Sequence, residues 1–261
     1  MIYQGSKKRI LKDILPFIQN CIDENKAKNY YELFVGGANV IDSVKCENKY
    51  GYDLNGELVE LLRYMRDNPK LEIFPQDCDF NHYSEVREDR KSGAKKFFVP
   101  YIAGIGYFAS YGGRYFDGGY GKDPSGKRNI YKERLKFARE QAPQLKGIEF
   151  NRASWEEFNP SDFSGCVFYL DPPYRDSKEY NGKGGFDYEK FYDFCRDLGK
   201  RNWVFISEYN MPSDFQCVWS KEVKVMQKAD RKEADLRVEK LFYVGKDGIT
   251  GLSKEVPLFE M

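Results

Sequence analysis

Apolar residues in the first quarter of the chain alternate between two periods. From Lys7 to Asn25, Ile10, Ile14, Phe17 or Ile18 and Cys21 or Ile22 recur at helical spacing behind Ser6, an N-cap residue, which predicts an amphipathic helix. Lys7, Lys8 and Arg9 fall in its first turn, where the helix dipole disfavours cations, so these charges point to an anionic ligand. Tyr30 to Val35 is short, apolar and aromatic, reads as a strand, and runs into Gly36-Gly37; Asn39 to Val44 then has helical character. Tyr50 to Asp53 is a second short strand before Gly56 to Arg66, a helix with Leu58, Leu61, Leu62 and Met65 on one face. Two successive strand–helix units predict a parallel sheet.

Between Asn68 and about Lys146 this alternation fades, and strands of buried type resume only afterwards, at Ile148 to Phe150, Cys166 to Leu170, Trp203 to Ser207, Val218 to Val225 and Lys240 to Val244. Tyr188 to Lys200 is a helix with Phe191, Phe194, Cys195 and Leu198 on one side. Only the charged run Lys228 to Glu239 separates the last two strands, so they are expected to pair antiparallel at one edge of the sheet. The pattern predicts an α/β, Rossmann-like sheet formed by residues 1–67 and 147–261, with 68–146 as a small, mainly helical and loop insertion.

Composition narrows the setting. With 41% hydrophobic residues in 261, and mean hydropathy −0.70, the chain reads as a soluble globular protein. No apolar run reaches the length of a membrane span and no cleavable apolar segment follows Lys7–Arg9, so a cytoplasmic protein without a membrane partner is expected. The six cysteines form no C-x-x-C pair and accompany a single histidine, His82, which argues against a metal site. A net charge of +1 decides nothing, but its distribution does. Phe97 to Tyr120 holds nine aromatics, Gly104 to Gly126 eight glycines, and Arg114 to Lys146 nine Lys/Arg against four acids, which makes the insertion basic, aromatic and glycine-rich.

The sharpest chemical feature is Asp171-Pro172-Pro173-Tyr174, directly after the strand Cys166 to Leu170 and therefore at its carboxyl end, where open α/β sheets bind ligands. Two prolines fix φ and remove two N–H donors, leaving a stiff corner whose carbonyls face outward. Such a corner suits an amino group: the Asp171 carboxylate and the Pro172 carbonyl each accept one N–H, and the Tyr174 ring offers a face to a planar base. At ordinary residue frequencies this string arises by chance in about one chain of this size in a thousand, which favours function over a satisfied strand-end turn. The second feature is Phe34-Val35-Gly36-Gly37-Ala38-Asn39 with Asp53 at the end of the next strand, a glycine turn plus an acid suited to ribose hydroxyls; an ordinary turn would explain the first and a helix N-cap the second, but the pair together favours a nucleotide-like ligand.

The order Tyr3-Gln4-Gly5-Ser6-Lys7, Phe34-Val35-Gly36-Gly37, an aromatic basic insertion and Asp171-Pro172-Pro173-Tyr174 resembles the Dam-type (D12 class, α group) adenine-N6 DNA methyltransferases, particularly phage-encoded ones, over nearly the whole chain. The resemblance implies a class I methyltransferase sheet, S-adenosylmethionine as cofactor without a metal, and double-stranded DNA as partner. It implies that Tyr3, Lys7, Phe34, Gly36, Gly37 and Asp53 bind the cofactor, with Ser154 beside its adenine and Asp171 close to it. Asp171, Pro172, Pro173 and Tyr174 would hold the target adenine, and the insertion would recognise the DNA. Ala38 stands where many relatives carry glycine. Ser207-Glu208-Tyr209-Asn210 ends the next strand at the same sheet edge, a position that suits either a wall of the base pocket or ordinary satisfied strand-end polar residues, and the glycine loop Tyr180 to Phe186 is expected to order on binding DNA and cofactor.

The amine of adenine is a poor nucleophile because its lone pair is delocalised, so the expected mechanism is alignment: two accepted hydrogen bonds favour a pyramidal nitrogen, which takes the methyl directly, without a covalent enzyme intermediate. A duplex hides that amine, so the base must be extruded. Arg114, Lys122, Lys127, Arg128 and Arg134 are the expected contacts to phosphates or guanine edges, and Tyr107, Tyr111, Tyr115 or Phe116 the stacking or wedging rings. RNA adenine methylation, and a silent nucleic-acid-binding module of the same fold, are the rival readings. The oligomeric state stays open, with a monomer compatible.

Overall fold

Clean amphipathic faces and buried apolar runs decide most of this architecture. In the computed structural model, which describes residues 1–175, 185–225 and 235–246, a 3-10 turn over Lys7–Arg9 precedes α1 (Leu11–Asn25), whose Ile14, Phe17, Ile18, Cys21 and Ile22 are buried. β1 (Asn29–Glu32), β2 (Asn48–Asp53) and α2 (Gly56–Asp67) follow, then α3 (Phe80–Ser92), α4 (Val99–Ala109) and α5 (Ile130–Gln141). β3 (Ile148–Arg152), β4 (Val167–Leu170), α6 (Tyr188–Gly199), β5 (Trp203–Glu208), β6 (Gln216–Val225) and β7 (Asp235–Gly245) complete the strands and α-helices of the described residues. The loop at 180–184 and residues 228–234 of the charged run lie outside the described residues.

The strands form one sheet in the order β3-β2-β1-β4-β5-β7-β6. The pairs β2–β3, β1–β4 and β4–β5 are parallel, and β7 lies antiparallel between β5 and β6. This is the Rossmann-like α/β sheet with an antiparallel edge that the residue pattern predicts. β4 and β5 are buried along their whole length, as expected of strands covered on both faces.

The chain divides into two compact units. The first comprises Met1–Leu11, Val35–Val44 and Lys49–Ser154 and so holds α2 to α5, β3 and nearly all of β2; the second comprises Lys12–Phe34, Lys45–Asn48 and the described residues from Trp155 onward. Residues 68–146, expected as a separate insertion between 1–67 and 147–261, group with α2 and β3 in the first unit. The reason lies in α4, which is buried from Ile102 to Ala109 and packs against α2, so this segment shares its core with the first half of the sheet.

One expected helix is absent. Asn39 to Val44 forms turns, because Lys49 from β2 donates its Nζ to the carbonyls of Ile41 (3.0 Å) and Val44 (3.1 Å), which satisfies them without a helical ladder. The basic cluster likewise precedes α1 instead of opening it: Ser6 accepts from the Lys8 N–H at 3.3 Å, and Lys7 is buried with its Nζ on the Gly5 carbonyl at 3.2 Å.

Candidate active site

In the first unit the glycine turn is built from four parts of the sequence. Gly36 (φ 48°) and Ala38 (φ 55°) both take the left-handed conformation; Ala38 adopts it although only glycine does so without steric cost. The Tyr3 ring lies across the turn so closely that a Cβ on Gly36 would stand 2.9 Å from its Cε1, and one on Gly37 would stand 2.7 Å from its Cβ. Asp53 Oδ2 accepts the Gly36 N–H at 3.0 Å and Oδ1 accepts the Asn55 N–H at 2.9 Å. Burial pushes the Asp53 carboxyl above the usual aspartate range, and these two N–H donors oppose the shift. Each oxygen keeps a further lone pair for a hydroxyl donor. Ser154 is half-buried, one residue past Ala153, whose N–H donates to the Asp53 carbonyl at 3.3 Å.

The underside of the turn is held by a residue that the sequence did not suggest. Gln141, at the end of α5, donates its Nε2 to the carbonyls of Gly37 (3.0 Å) and Ala38 (3.1 Å) and to Asp42 Oδ2 (2.8 Å). A glutamine about a hundred positions away carries no local signal of such a role.

In the second unit the Asp-Pro-Pro-Tyr corner leaves the carboxyl end of β4. Asp171 is half-buried, Pro172 buried and Tyr174 9% exposed. Tyr174 donates its hydroxyl to Glu239 Oε2 (3.1 Å), and its ring meets that of Tyr209 edge to face at 4.5 Å. Arg237 donates to the Tyr209 hydroxyl at 3.0 Å. Burial, then the negative charge of Asp171 and Glu239, raises the Tyr174 phenol well above its ordinary range, so it stays a neutral donor. The Pro173 carbonyl does not face outward unpartnered as expected: it accepts the Tyr188 hydroxyl at 3.0 Å. Glu208 ends β5 and Tyr209 follows it beside this corner, with the Tyr209 N–H on Glu208 Oε1 at 2.8 Å. Arg175 and Asn210 help line an adjoining pocket of about 240 Å³. Phe34 and Trp155 pack with Phe191 at 5.8 and 5.3 Å, so both rings serve an aromatic cluster of this unit.

The expected DNA contacts, all in the first unit, separate by burial. A short loop closed by the Ser110–Tyr120 bridge carries Tyr111, 63% exposed, and exposed Arg114. Lys122 is exposed over the Phe80 ring at 5.8 Å. Asp123 Oδ2 accepts the N–H groups of Lys127 (3.0 Å) and Arg128 (3.1 Å), presenting two further exposed cations, and Glu133 pairs with Arg128. Tyr115 is half-buried. Arg134 departs from the expectation. It is 8% exposed and donates to the carbonyls of Tyr107 and Ser110, giving the C-terminal end of α4 the cation which that helix lacks; burial lowers its pKa.

Comparison with known proteins bears on this arrangement. The family described as D12 class N6 adenine-specific DNA methyltransferase matches residues 3–201. The modification methylase StsI of Streptococcus sanguinis is 27% identical over 202 residues, 70% of this chain and 30% of that protein, so the chain spans under a third of its length. Among solved structures, the rRNA methyltransferase aviRa from Streptomyces viridochromogenes aligns over 90% of this chain and 84% of its own at 9% identity, with a TM-score of 0.39. TrmN from Thermus thermophilus aligns over 88% and 48% at 10% identity, with a TM-score of 0.36.

Proposed function

The chain belongs to the D12 class N6 adenine-specific DNA methyltransferase family, and from that premise we propose that it transfers a methyl group from S-adenosylmethionine to the N6 amine of an adenine extruded from double-stranded DNA. The observation that carries this reading is the stiff acidic corner at the carboxyl end of a buried parallel strand.

The donor set fits the cofactor. Asp53, with spare acceptor capacity beside the Gly36 N–H, suits two ribose hydroxyls, and Tyr3, Gly36 and Gly37 offer a narrow aromatic-walled turn for the adenosine. Lys7 and Ser154 are assigned to the polar end and the adenine of the same ligand. When bound, S-adenosylmethionine supplies an electrophilic sulfonium methyl. The protein's part is alignment: the Asp171 carboxylate and the Pro172 carbonyl accept the two amine protons, which localises the nitrogen lone pair. Asp171 need not be a strong base, since the amine turns acidic only as the new bond forms. Tyr174, locked by Glu239 and Tyr209, keeps one orientation against the base.

Tyr111, Arg114, Lys122, Lys127 and Arg128 are the proposed DNA contacts, the exposed ring filling the space of the extruded base and the cations meeting phosphates. Arg114→Ala and Lys122→Ala are each expected to flatten the log–log slope of duplex affinity against salt by about 1. An unchanged slope in both variants would remove this segment from the interface.

The function is tested by incubating the chain with methyl-labelled S-adenosylmethionine and either plasmid duplex or structured RNA, then digesting to nucleosides. N6-methyladenine in the duplex arm is expected. Transfer to RNA alone, or cofactor binding without any transfer, overturns the reading in favour of an RNA enzyme or a silent module.

A further inference from the structure

Between the cofactor turn and the proposed DNA loop, the first unit carries an unbroken series of polar and aromatic contacts. It starts at Asp53, passes through the Asn55 N–H, and continues from Asn55 Nδ2 to the Tyr107 hydroxyl at 3.1 Å. Asn55 also caps α2, accepting from Glu57 and Leu58 N–H at 3.1 and 3.2 Å, so it ties the strand end rigidly to the helix that bears Glu57. The Tyr107 ring lies 5.7 Å from that of Tyr3, which covers the glycine turn, and 4.7 Å from that of Tyr115. Tyr115 donates its hydroxyl to Glu57 Oε2 at 2.8 Å, and Arg90 donates to both Glu57 oxygens at 2.9–3.0 Å while its guanidinium lies 4.9 Å from the Tyr115 ring centre.

This arrangement is built at some steric expense. Tyr115 has φ 36°, a conformation that bulky residues avoid unless their surroundings impose it. Its ring occupies the space above Gly106 on α4, where a Cβ would come within 2.5 Å of its Cε2. Arg114, which precedes it, is exposed, as is Tyr111, whose carbonyl accepts the Arg114 N–H at 3.2 Å, whereas Phe116, which follows it, is buried. A strained aromatic is thus pinned by a carboxylate and a cation directly beside the exposed Arg114.

We propose that Tyr115, Glu57 and Arg90 are positioning residues, a latch through which the state of the cofactor-binding strand end sets the loop that contacts DNA. This inference rests on the function proposed above. None of the three touches the reacting atoms; they act through Tyr111 and Arg114 on one side and through Tyr107 and Asn55 on the other. Cofactor held against Asp53 and the turn stabilises the latched loop, and by reciprocity DNA bound to that loop tightens the cofactor.

The test measures duplex affinity with and without sinefungin, a non-reacting cofactor analogue, on a plasmid fragment that the wild-type chain methylates. In the wild type, sinefungin is expected to raise affinity for the fragment about tenfold. In Tyr115→Phe, which keeps the ring, and in Arg90→Gln, which alters a solvent-exposed side chain, this factor should fall below about threefold, with sinefungin affinity alone and the thermal midpoint unchanged. Wild-type coupling in both variants, independent binding of the two ligands in the wild type, or a parallel drop in midpoint and in every affinity would each overturn the latch. A wild-type chain that binds sinefungin but methylates no duplex fails the functional reading instead, and the latch with it.

Discussion

Asp171→Ala is expected to lower single-turnover methyl transfer about a thousandfold, while sinefungin affinity stays within about threefold of wild type. The size follows from what the carboxylate does. Removing one preorganised partner from a reacting centre typically costs a factor of about a hundred to a thousand in turnover, and here one of only two acceptors is removed. The remaining acceptor, the Pro172 carbonyl, can hold one amine proton but cannot by itself prevent the nitrogen from returning to planarity. The fold should survive, because the strand that carries the corner is anchored upstream: Val167, Phe168, Tyr169 and Leu170 are buried, and β4 pairs on both sides with β1 and β5. Asp171→Asn separates charge from shape. It keeps a carbonyl oxygen but presents N–H donors to an amine, so its rate should lie between those of Asp171→Ala and wild type. Full turnover by the alanine variant would end the assignment of this residue.

What the residue pattern made legible, and what it hid, divide along a physical line. Val167 to Leu170 with the double proline after it could be read because a fully buried strand is locally apolar and a proline corner is local chemistry. α2 could be read from Leu58, Leu61, Leu62 and Met65, all of which are buried. Arg134 was misjudged because a cation on a polar helix face looks solvated until a second helix presents its terminal carbonyls to it. The turns at 39–44 were hidden for a similar reason, since Lys49 satisfies carbonyls that the local sequence would have paired within a helix. Gln141 under the glycine turn and Glu239 on Tyr174 are contacts over long stretches of chain, with no trace in composition or spacing. Local chemistry at the candidate site was thus legible in sequence, whereas these long-range supports were not.

Asp53→Asn is expected to weaken cofactor binding about ten- to a hundredfold and to change how binding depends on pH. Two effects act together. Ribose hydroxyls lose the charge-assisted acceptor, a type of hydrogen bond roughly twice as strong as a neutral one. In addition, an asparagine cannot accept from both the Gly36 and Asn55 N–H groups, since one of its two positions is itself a donor, so the turn loosens. The pH dependence has a definite sign. Burial raises the carboxyl above its ordinary range, so the ionised form that favours the cofactor is present above the raised value and is lost as pH falls through it, earlier than for an ordinary aspartate. Folding without ligand runs the other way. The folded chain retains this proton to higher pH than the unfolded one, so the Asp53 contribution to stability falls as pH rises from the ordinary aspartate value of 3.8 to the raised one. The variant should show neither dependence. Calorimetric titration of sinefungin from mildly acidic to neutral pH, alongside thermal unfolding at the same values, separates the two. Matching acid limbs in wild type and variant would show that Asp53 is not the group responsible, and wild-type affinity in Asp53→Asn would remove it from the cofactor site altogether.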